Sequence, residues 1–276
     1  METLKSIFRF YINSSIHVAL TICALVYVTF EKFEVSWDIL FALFTFSGAV
    51  TAYNLIKYSN TSRLYHRRLT KSMKSIRVFT ILCAILFVGT SVVLPPDVIL
   101  YMLPFIVLSV LYVAPVFPDK RNLRSYAGMK IFIIAIVWSG VTVLVPLVYA
   151  KATLNFDFLI EMIQRFLFIV VMMLPFEVRD LQYDDPSLET IPQKIGVTNT
   201  KVFGSILLVV FLLLTALKDE LLSSVEILST ISVTTISLLF LWGTERKQSE
   251  YYCSFWVESV PVFWIIIILS LQRLFV

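Results

Sequence analysis

Histidine is almost missing from this chain of 276 residues. It occurs only as His17 and His66, which excludes a histidine-rich metal centre. Cysteine is nearly as scarce. Cys23, Cys83 and Cys253 lie in or beside apolar stretches with no CxxC pair, so they read as packing residues and not as a disulfide framework. Charge is sparse too: Asp, Glu, Lys and Arg make up 15% of the chain, where an ordinary globular chain has about a quarter. No soluble domain, linker, low-complexity segment or internal repeat interrupts the sequence. Acid is wholly absent between Asp38 and Asp97, a gap that nonetheless holds Lys57, Arg63, Arg67, Arg68, Lys71, Lys74 and Arg77.

What fills the chain is apolar. Hydrophobic residues account for 58% of it and the mean hydropathy is +0.86. The apolar runs are of helix length, not barrel length. Nine are expected, at about residues 12–30, 39–56, 78–94, 98–117, 129–150, 158–176, 202–217, 222–242 and 255–274. The first is too long for a signal h-region and lacks a cleavage site, so it reads as a retained helix. The fold class is therefore an all-α integral membrane protein, a single domain over residues 1–276. Pro104 predicts a kink in the fourth run. His17 reads as bonded to a neighbouring backbone group. Glu161 and Arg165, four apart in the sixth run, predict an internal ion pair. Glu226 and Glu258 fall near run ends and read as interfacial.

Lys and Arg are distributed unevenly between the loops. The N-terminus and the loops after runs two, four, six and eight carry about eighteen, and the alternate loops and C-terminus about four. By the positive-inside rule the N-terminus is cytoplasmic and the C-terminus outside, in an inner or plasma membrane. Two basic loops and the segment after run six then share the cytoplasmic face. The bilayer is the expected surrounding, and no nucleic-acid partner is expected.

That last segment, Phe176 to Gly196, holds five of the nineteen carboxylates: Glu177, Asp180, Asp184, Asp185 and Glu189. Asp180 and Asp184 share a face if the segment is helical. Two such carboxylates repel unless a cation lies between them, a geometry suited to a divalent metal with phosphate as its other partner. The alternative is a solvated loop whose acids pair with Arg179 and Lys194.

The nine runs and the loop placement resemble the UbiA superfamily of intramembrane prenyltransferases, which carries aspartate-rich motifs at the cytoplasmic ends of helices two and six. Asp180-Leu181-Gln182-Tyr183-Asp184 matches that family's second motif, DxxxD. Thr190-Ile191-Pro192 followed by Gly196 resembles the TLP…G after it. Tyr112-Val113-Ala114-Pro115, leading through Asp119-Lys120-Arg121 to Lys130 and Trp138, resembles its YSxPP…LK segment. The first motif, NDxxDxxxD, is degenerate here: Asn54 remains, but Leu55, Tyr58 and Ser62 stand where the family has aspartates. Arg68 roughly matches the basic residue that follows.

The resemblance implies transfer of an isoprenyl group from an isoprenyl diphosphate to a lipid or aromatic acceptor. It implies Asp180 and Asp184 as catalytic and metal-binding residues, with Mg²⁺ held as a single ion. It implies Asn54, Arg68, Lys120 and Arg179 as diphosphate-binding residues. Lys57, Arg63, Arg67 and Arg68 are candidates to replace the first ion as phosphate neutralisers, unless they serve only the positive-inside rule and anionic headgroups. Two other functions stay open: a catalytically inactive paralogue that binds an isoprenoid lipid or scaffolds a membrane pathway, and a small membrane transporter. The absence of repeats and the clustering of ionisable groups on one face speak against a transporter.

Overall fold

The computed structural model describes residues 2–58, 73–118, 122–218 and 223–275, and those residues contain helices and no β-strand. The helices are α1 (Glu2–Asn13), α2 (Ile16–Lys32), α3 (Ile39–Tyr58), α4 (Met73–Val93), α5 (Pro96–Val113), α6 (Lys130–Tyr149), α7 (Phe156–Asp180), α8 (Ile191–Thr215), α9 (Ser224–Trp242) and α10 (Tyr252–Phe275). The eight from α3 to α10 are each long and apolar enough to cross a bilayer. The pair α1 and α2, bent by 55°, passes the same test together. The protein is thus a multi-pass, all-α membrane protein, as its composition requires.

Helix ends follow local chemistry. Pro96 opens α5, where a missing N–H costs nothing. Asn155 caps α7 by accepting from the Phe158 N–H at 3.1 Å, and Ser223 caps α9 by accepting from the Glu226 N–H at 3.0 Å. Two boundaries differ from the hydropathy reading. Helix α7 runs on to Asp180, beyond its apolar run. Helix α8 begins at Ile191, in polar sequence, because Gln193 Oε1 accepts from the Thr190 N–H at 2.8 Å and nucleates a turn ahead of the apolar stretch. Gly196, at φ 79°, ψ 165°, kinks α8 between its polar and apolar parts.

Helix α7 is the axis of the packing. Its Phe168 meets Phe211 of α8 and Trp264 of α10 at ring-centroid distances of 5.9 and 5.4 Å. Helices α2, α6 and α9 complete this core. Helices α4 and α5 are peripheral and mostly face outward. Helix α6 contains a π-helical segment at Gly140–Leu144, and α10 begins with another at Tyr252–Val257. Gly140 has no side chain because the ring of Phe105 occupies the place of a Cβ.

The predicted Glu161–Arg165 pair forms, at 3.0 Å, and it belongs to a larger buried cluster. Glu161 Oε2 also takes Lys32 at 2.8 Å and Lys218 at 3.2 Å, and Lys218 reaches Glu226 at 2.6 Å. Glu226 is therefore part of an internal network and not simply an interfacial acid. Arg165 donates further to the Leu25 carbonyl and to Thr29 and Thr142 hydroxyls at 2.8–3.2 Å. The Lys32 ammonium lies 4.9 Å from the centre of the Trp264 ring. The cluster ties α2, α6, α7 and α9 at one end of the bundle. Burial of Lys218 works against its charge, but the Glu161 and Glu226 carboxylates outweigh that and hold the ammonium pKa above its ordinary value. Glu161→Ala would leave Lys32 and Arg165 without their shared counter-ion, and is expected to destabilise the protein by about 3 kcal/mol or more. Thermal unfolding in detergent measures this; an unchanged melting temperature would contradict the assignment.

Candidate functional site

At the opposite end of α7, about 28 Å along its axis from Glu161, lies the segment that the acidic pattern singled out. Asp180 is the last residue of α7. Beyond it the chain makes one further turn, with the Tyr183 and Asp184 N–H groups both donating to the Asp180 carbonyl at 2.8 Å. That turn keeps Asp184 above Asp180, as a helix would. Their side chains converge on one cation, the ammonium of Lys130 at the start of α6, which lies 3.4 Å from Asp180 Oδ2 and 3.1 Å from Asp184 Oδ2. Arg179 Nε donates to Asp180 Oδ1 at 2.8 Å, and its Nη2 forms an ion pair with the same oxygen at 2.8 Å. Lys194 pairs with Glu189 at 2.6 Å, so that part of the solvated-loop alternative also holds.

The surrounding loops are pinned. Gln193 Nε2 donates to the Asp185 carbonyl at 3.2 Å. The Gly128 N–H donates to the Leu188 carbonyl at 2.9 Å and so joins the loop before α6 to the loop after α7. Gly128 has φ 69°, a conformation suited to glycine. Asn122 and Ser125 bond each other reciprocally across a short turn, and Asn122 Nδ2 holds that turn to the Val113 carbonyl at 3.0 Å. The turn presents Arg124 to the site.

These groups stand at the polar end of a cavity of about 1160 Å³. Lys57, Arg124, Lys130, Arg179, Asp180 and Asp184 line that end. Phe41, Phe44, Phe87, Met102, Phe105 and Val145 line the other. Along α6 the lining runs from Lys130 to Val145, about 22 Å at the helical rise. A polar mouth over a long apolar chamber suits an amphiphile with a charged head and an apolar tail.

The predicted residues fare differently. Asp180, Asp184 and Arg179 are brought together. Arg68 and Lys120, with Arg63, Arg67, Lys71 and His66, lie outside the described residues. Asn54 is placed elsewhere: it is buried and absent from the cavity wall. Its Nδ2 donates to the Ser14 carbonyl at 3.0 Å and the Thr80 hydroxyl at 2.9 Å, and its Oδ1 accepts from Ser15 Oγ at 2.8 Å. Lys57 donates to the Ile12 and Asn13 carbonyls at 3.4 and 3.1 Å, and the Tyr58 hydroxyl to the Asn13 carbonyl at 2.7 Å. The degenerate first motif thus caps the C-terminus of α1, where carbonyls lack helical partners and positive charge is favoured. Leu55, at a lost aspartate position, lines the cavity. His17 bonds the Phe255 carbonyl at 3.0 Å and the Tyr11 hydroxyl at 2.7 Å, which matches its structural reading. Glu258, read as interfacial, lies on the cavity wall.

Sequence reasoning did not choose Lys130 or Arg124 as site residues. Lys130 lay within the quoted LK-like segment, so a signal existed. Arg124 carried none beyond its place in a basic loop.

No group of three or more His, Cys, Asp or Glu side chains among the described residues could hold a metal. A divalent ion such as Mg²⁺ nonetheless often takes only one or two carboxylates, with phosphate oxygens completing its shell. The Asp180–Asp184 pair fits that role, since both carboxylates already converge on a single cation. Lys130 is then the resident competitor. Lys130→Met is expected to tighten binding of Mn²⁺, as a paramagnetic probe in the absence of other ligands, by about tenfold or more. Electron paramagnetic resonance reads the free ion; equal affinity in the two proteins would show that Lys130 does not compete there.

No known protein-family profile matches the sequence, and no curated protein sequence matches it. Among solved structures, the apo structure of a UbiA homologue from Aeropyrum pernix K1 matches 93% of this chain and 98% of its own, with a TM-score of 0.67 and 12% sequence identity. At that identity the likeness concerns the fold. It extends over nearly the whole of both chains, so the helical bundle around this cavity is a UbiA-like fold.

Proposed function

We propose that the protein is an intramembrane prenyltransferase that moves an isoprenyl group from an isoprenyl diphosphate to a lipid or aromatic acceptor. The observation that carries this reading is the cavity: one chamber, about 22 Å long along α6 from Lys130 to Val145, joins an apolar interior to a mouth where Lys57, Arg124, Lys130 and Arg179 meet Asp180 and Asp184. The UbiA-like fold supports it. The diphosphate is held at the mouth, where Lys130 and Arg124 donate to its oxygens through charge-assisted bonds. Lys130 turns from the two carboxylates to the phosphates as the ligand enters. Arg179 stays on Asp180 and fixes its rotamer. Arg68 and Lys120 remain candidates to add positive charge, and Asn54 holds the α1–α2 elbow in place. Asp180 and Asp184 would together hold one Mg²⁺, which would supply Lewis-acid neutralisation of the leaving diphosphate. The isoprenoid tail lies along the aromatic chamber, which excludes water from the reacting carbon. The uneven distribution of Lys and Arg supports a mouth on the cytoplasmic side.

One observation favours a second reading. The first aspartate motif is rebuilt as a cap for α1, which leaves a single acidic pole. A protein that binds the isoprenoid diphosphate without transferring it would need no more than that.

Binding of geranylgeranyl diphosphate and of geranylgeraniol to the purified protein in nanodiscs, with and without Mg²⁺, tests the common ground. The diphosphate is expected to bind more tightly than the alcohol. Lys130→Met and Asp180→Ala are each expected to weaken the diphosphate by about tenfold or more. Equal affinity for diphosphate and alcohol would remove the shared premise, as would Asp180→Ala and Arg68→Ala variants that both bind like wild type. Release of pyrophosphate from labelled donor in native membranes separates transfer from binding alone.

A further inference from the structure

Only Ile12 of α1 lines the cavity, so the rest of that helix has some other use. Its twelve residues span about 18 Å, too short to cross an apolar core of about 30 Å. Nor does α2 need it to complete a span, because its own seventeen residues suffice. The two helices are bent by 55°, and Ser15, at φ 61°, makes the turn. Around α1 the side chains sort into two sides. Lys5, Ser6, Arg9 and Asn13 fall on one, and Leu4, Ile7, Phe8 and Tyr11 on the other. That is the pattern of a helix lying in the plane of a membrane interface.

The contacts of α1 fix its orientation. On one flank Phe8 meets Tyr251 and Phe255 at ring-centroid distances of 5.0 and 5.3 Å; on the other Phe10 meets Phe79 of α4 at 6.0 Å. The Tyr11 hydroxyl bonds His17 Nδ1 at 2.7 Å, in the first turn of α2. The apolar side is thus turned toward the spanning helix. Leu4 and Ile7 share that side but stay 73% and 61% exposed. The other side is cationic. Lys5 and Arg9 are exposed, and the contact of Phe10 with Phe79 seats them near the start of α4, where Lys74 and Arg77 are exposed as well. None of these four cations pairs with an acid among the described residues. Glu2 is the one acid on α1, and none occurs between Asp38 and Asp97.

We propose that α1 and the start of α4 form a docking surface for anionic phospholipids, outside the cavity and on the mouth side of the bundle. Leu4 and Ile7 insert among the acyl chains, and Lys5, Arg9, Lys74 and Arg77 hold the headgroup phosphates. Charge complementarity names this occupant. A zwitterionic headgroup brings its own cation and leaves the four charges unmatched. A second copy of the chain, docked on the same face, would set like charges against each other. The surface depends on neither prenyl donor nor acceptor. It does bear on the cavity, because Lys57 and Tyr58 hold the C-terminus of α1 and Ile12 stands on the wall. Lipids that fix α1 therefore steady that part of the wall.

Native mass spectrometry of the full-length protein in neutral detergent tests the headgroup preference, with phosphatidylglycerol and phosphatidylcholine as probes. Wild type is expected to bind phosphatidylglycerol about tenfold more tightly. The double variant Lys5→Gln, Arg9→Gln is expected to lower that preference by about fivefold. Lys5→Arg with Arg9→Lys keeps the charge and is expected to keep the preference, which separates lost charge from lost folding. Glycerol 3-phosphate at the lipid concentration is expected not to compete. Insertion is read by photocrosslinking in membranes: a benzoylphenylalanine in place of Ile7 is expected to capture more phospholipid than one in place of Ser6. The proposal is overturned if the glutamine variant keeps the full preference, or if glycerol 3-phosphate displaces the lipid. Equal lipid capture from positions 6 and 7 overturns it too, as does capture of a second protein chain from position 7 in place of lipid.

Discussion

Charge buried in a helical membrane bundle must be compensated within the bundle, and α7 carries that constraint along its whole length. Near its start Glu161 gathers Lys32, Arg165 and Lys218. At its end Asp180 gathers Arg179 and Lys130. The two clusters resemble each other in chemistry and differ in setting. The first is closed, packed against Trp264 and tied to backbone carbonyls, so each charge has a fixed partner within the bundle. The second opens on a cavity, so its ion pairs can be exchanged for those of an entering anion. One cluster therefore holds the helices in register, and the other is available for binding.

The rebuilt first motif follows from the same constraint. Asn54, Lys57 and Tyr58 converge on the carbonyls at the C-terminus of α1. An aspartate in place of Tyr58 would meet those carbonyls with like charge and no donor. Ser15, at φ 61°, turns the chain sharply between α1 and α2, and Asn54 accepts from its hydroxyl. Of the positions without the family's acid, Tyr58 thus has a structural task beside Asn54 and Lys57, which is to hold the elbow that brings Ile12 to the cavity wall. Loss of acid at this pole and retention of Asn54 are two sides of one change.

The fold was legible because hydropathy over helix-length windows reports the spans directly. Asp180 and Asp184 were legible because their spacing is local: four residues apart, they stay on one face even though α7 ends between them. Lys130 is fifty positions from Asp180, and no spacing rule reaches that far; only the packing of α6 on α7 brings the two together. Glu258 was only partly legible for a related reason. Its place near the end of an apolar run fixes its depth but not its direction, and direction here depends on a π-helical turn that no periodicity in the sequence announces. The early start of α8 was hidden by polar residues that hydropathy assigns to a loop and that Gln193 turns into a helix.

The two π-helical segments point to how the cavity is kept open. Each lies in a helix that lines it, at Gly140–Leu144 and Tyr252–Val257. A π-turn widens the backbone and shifts the register of everything that follows it. In α6 the segment begins at Gly140, where the ring of Phe105 folds against the helix in place of a side chain, so a peripheral helix is seated without filling the chamber. In α10 it precedes Glu258 and sets the side of the helix on which that carboxylate stands. Straight α-helices in both places would pack closer and turn different side chains inward. The chamber and its polar wall are therefore products of two local departures from α-helical geometry, held in place by the bonds from Thr21 to the Glu258 carbonyl and from Arg165 to Thr142.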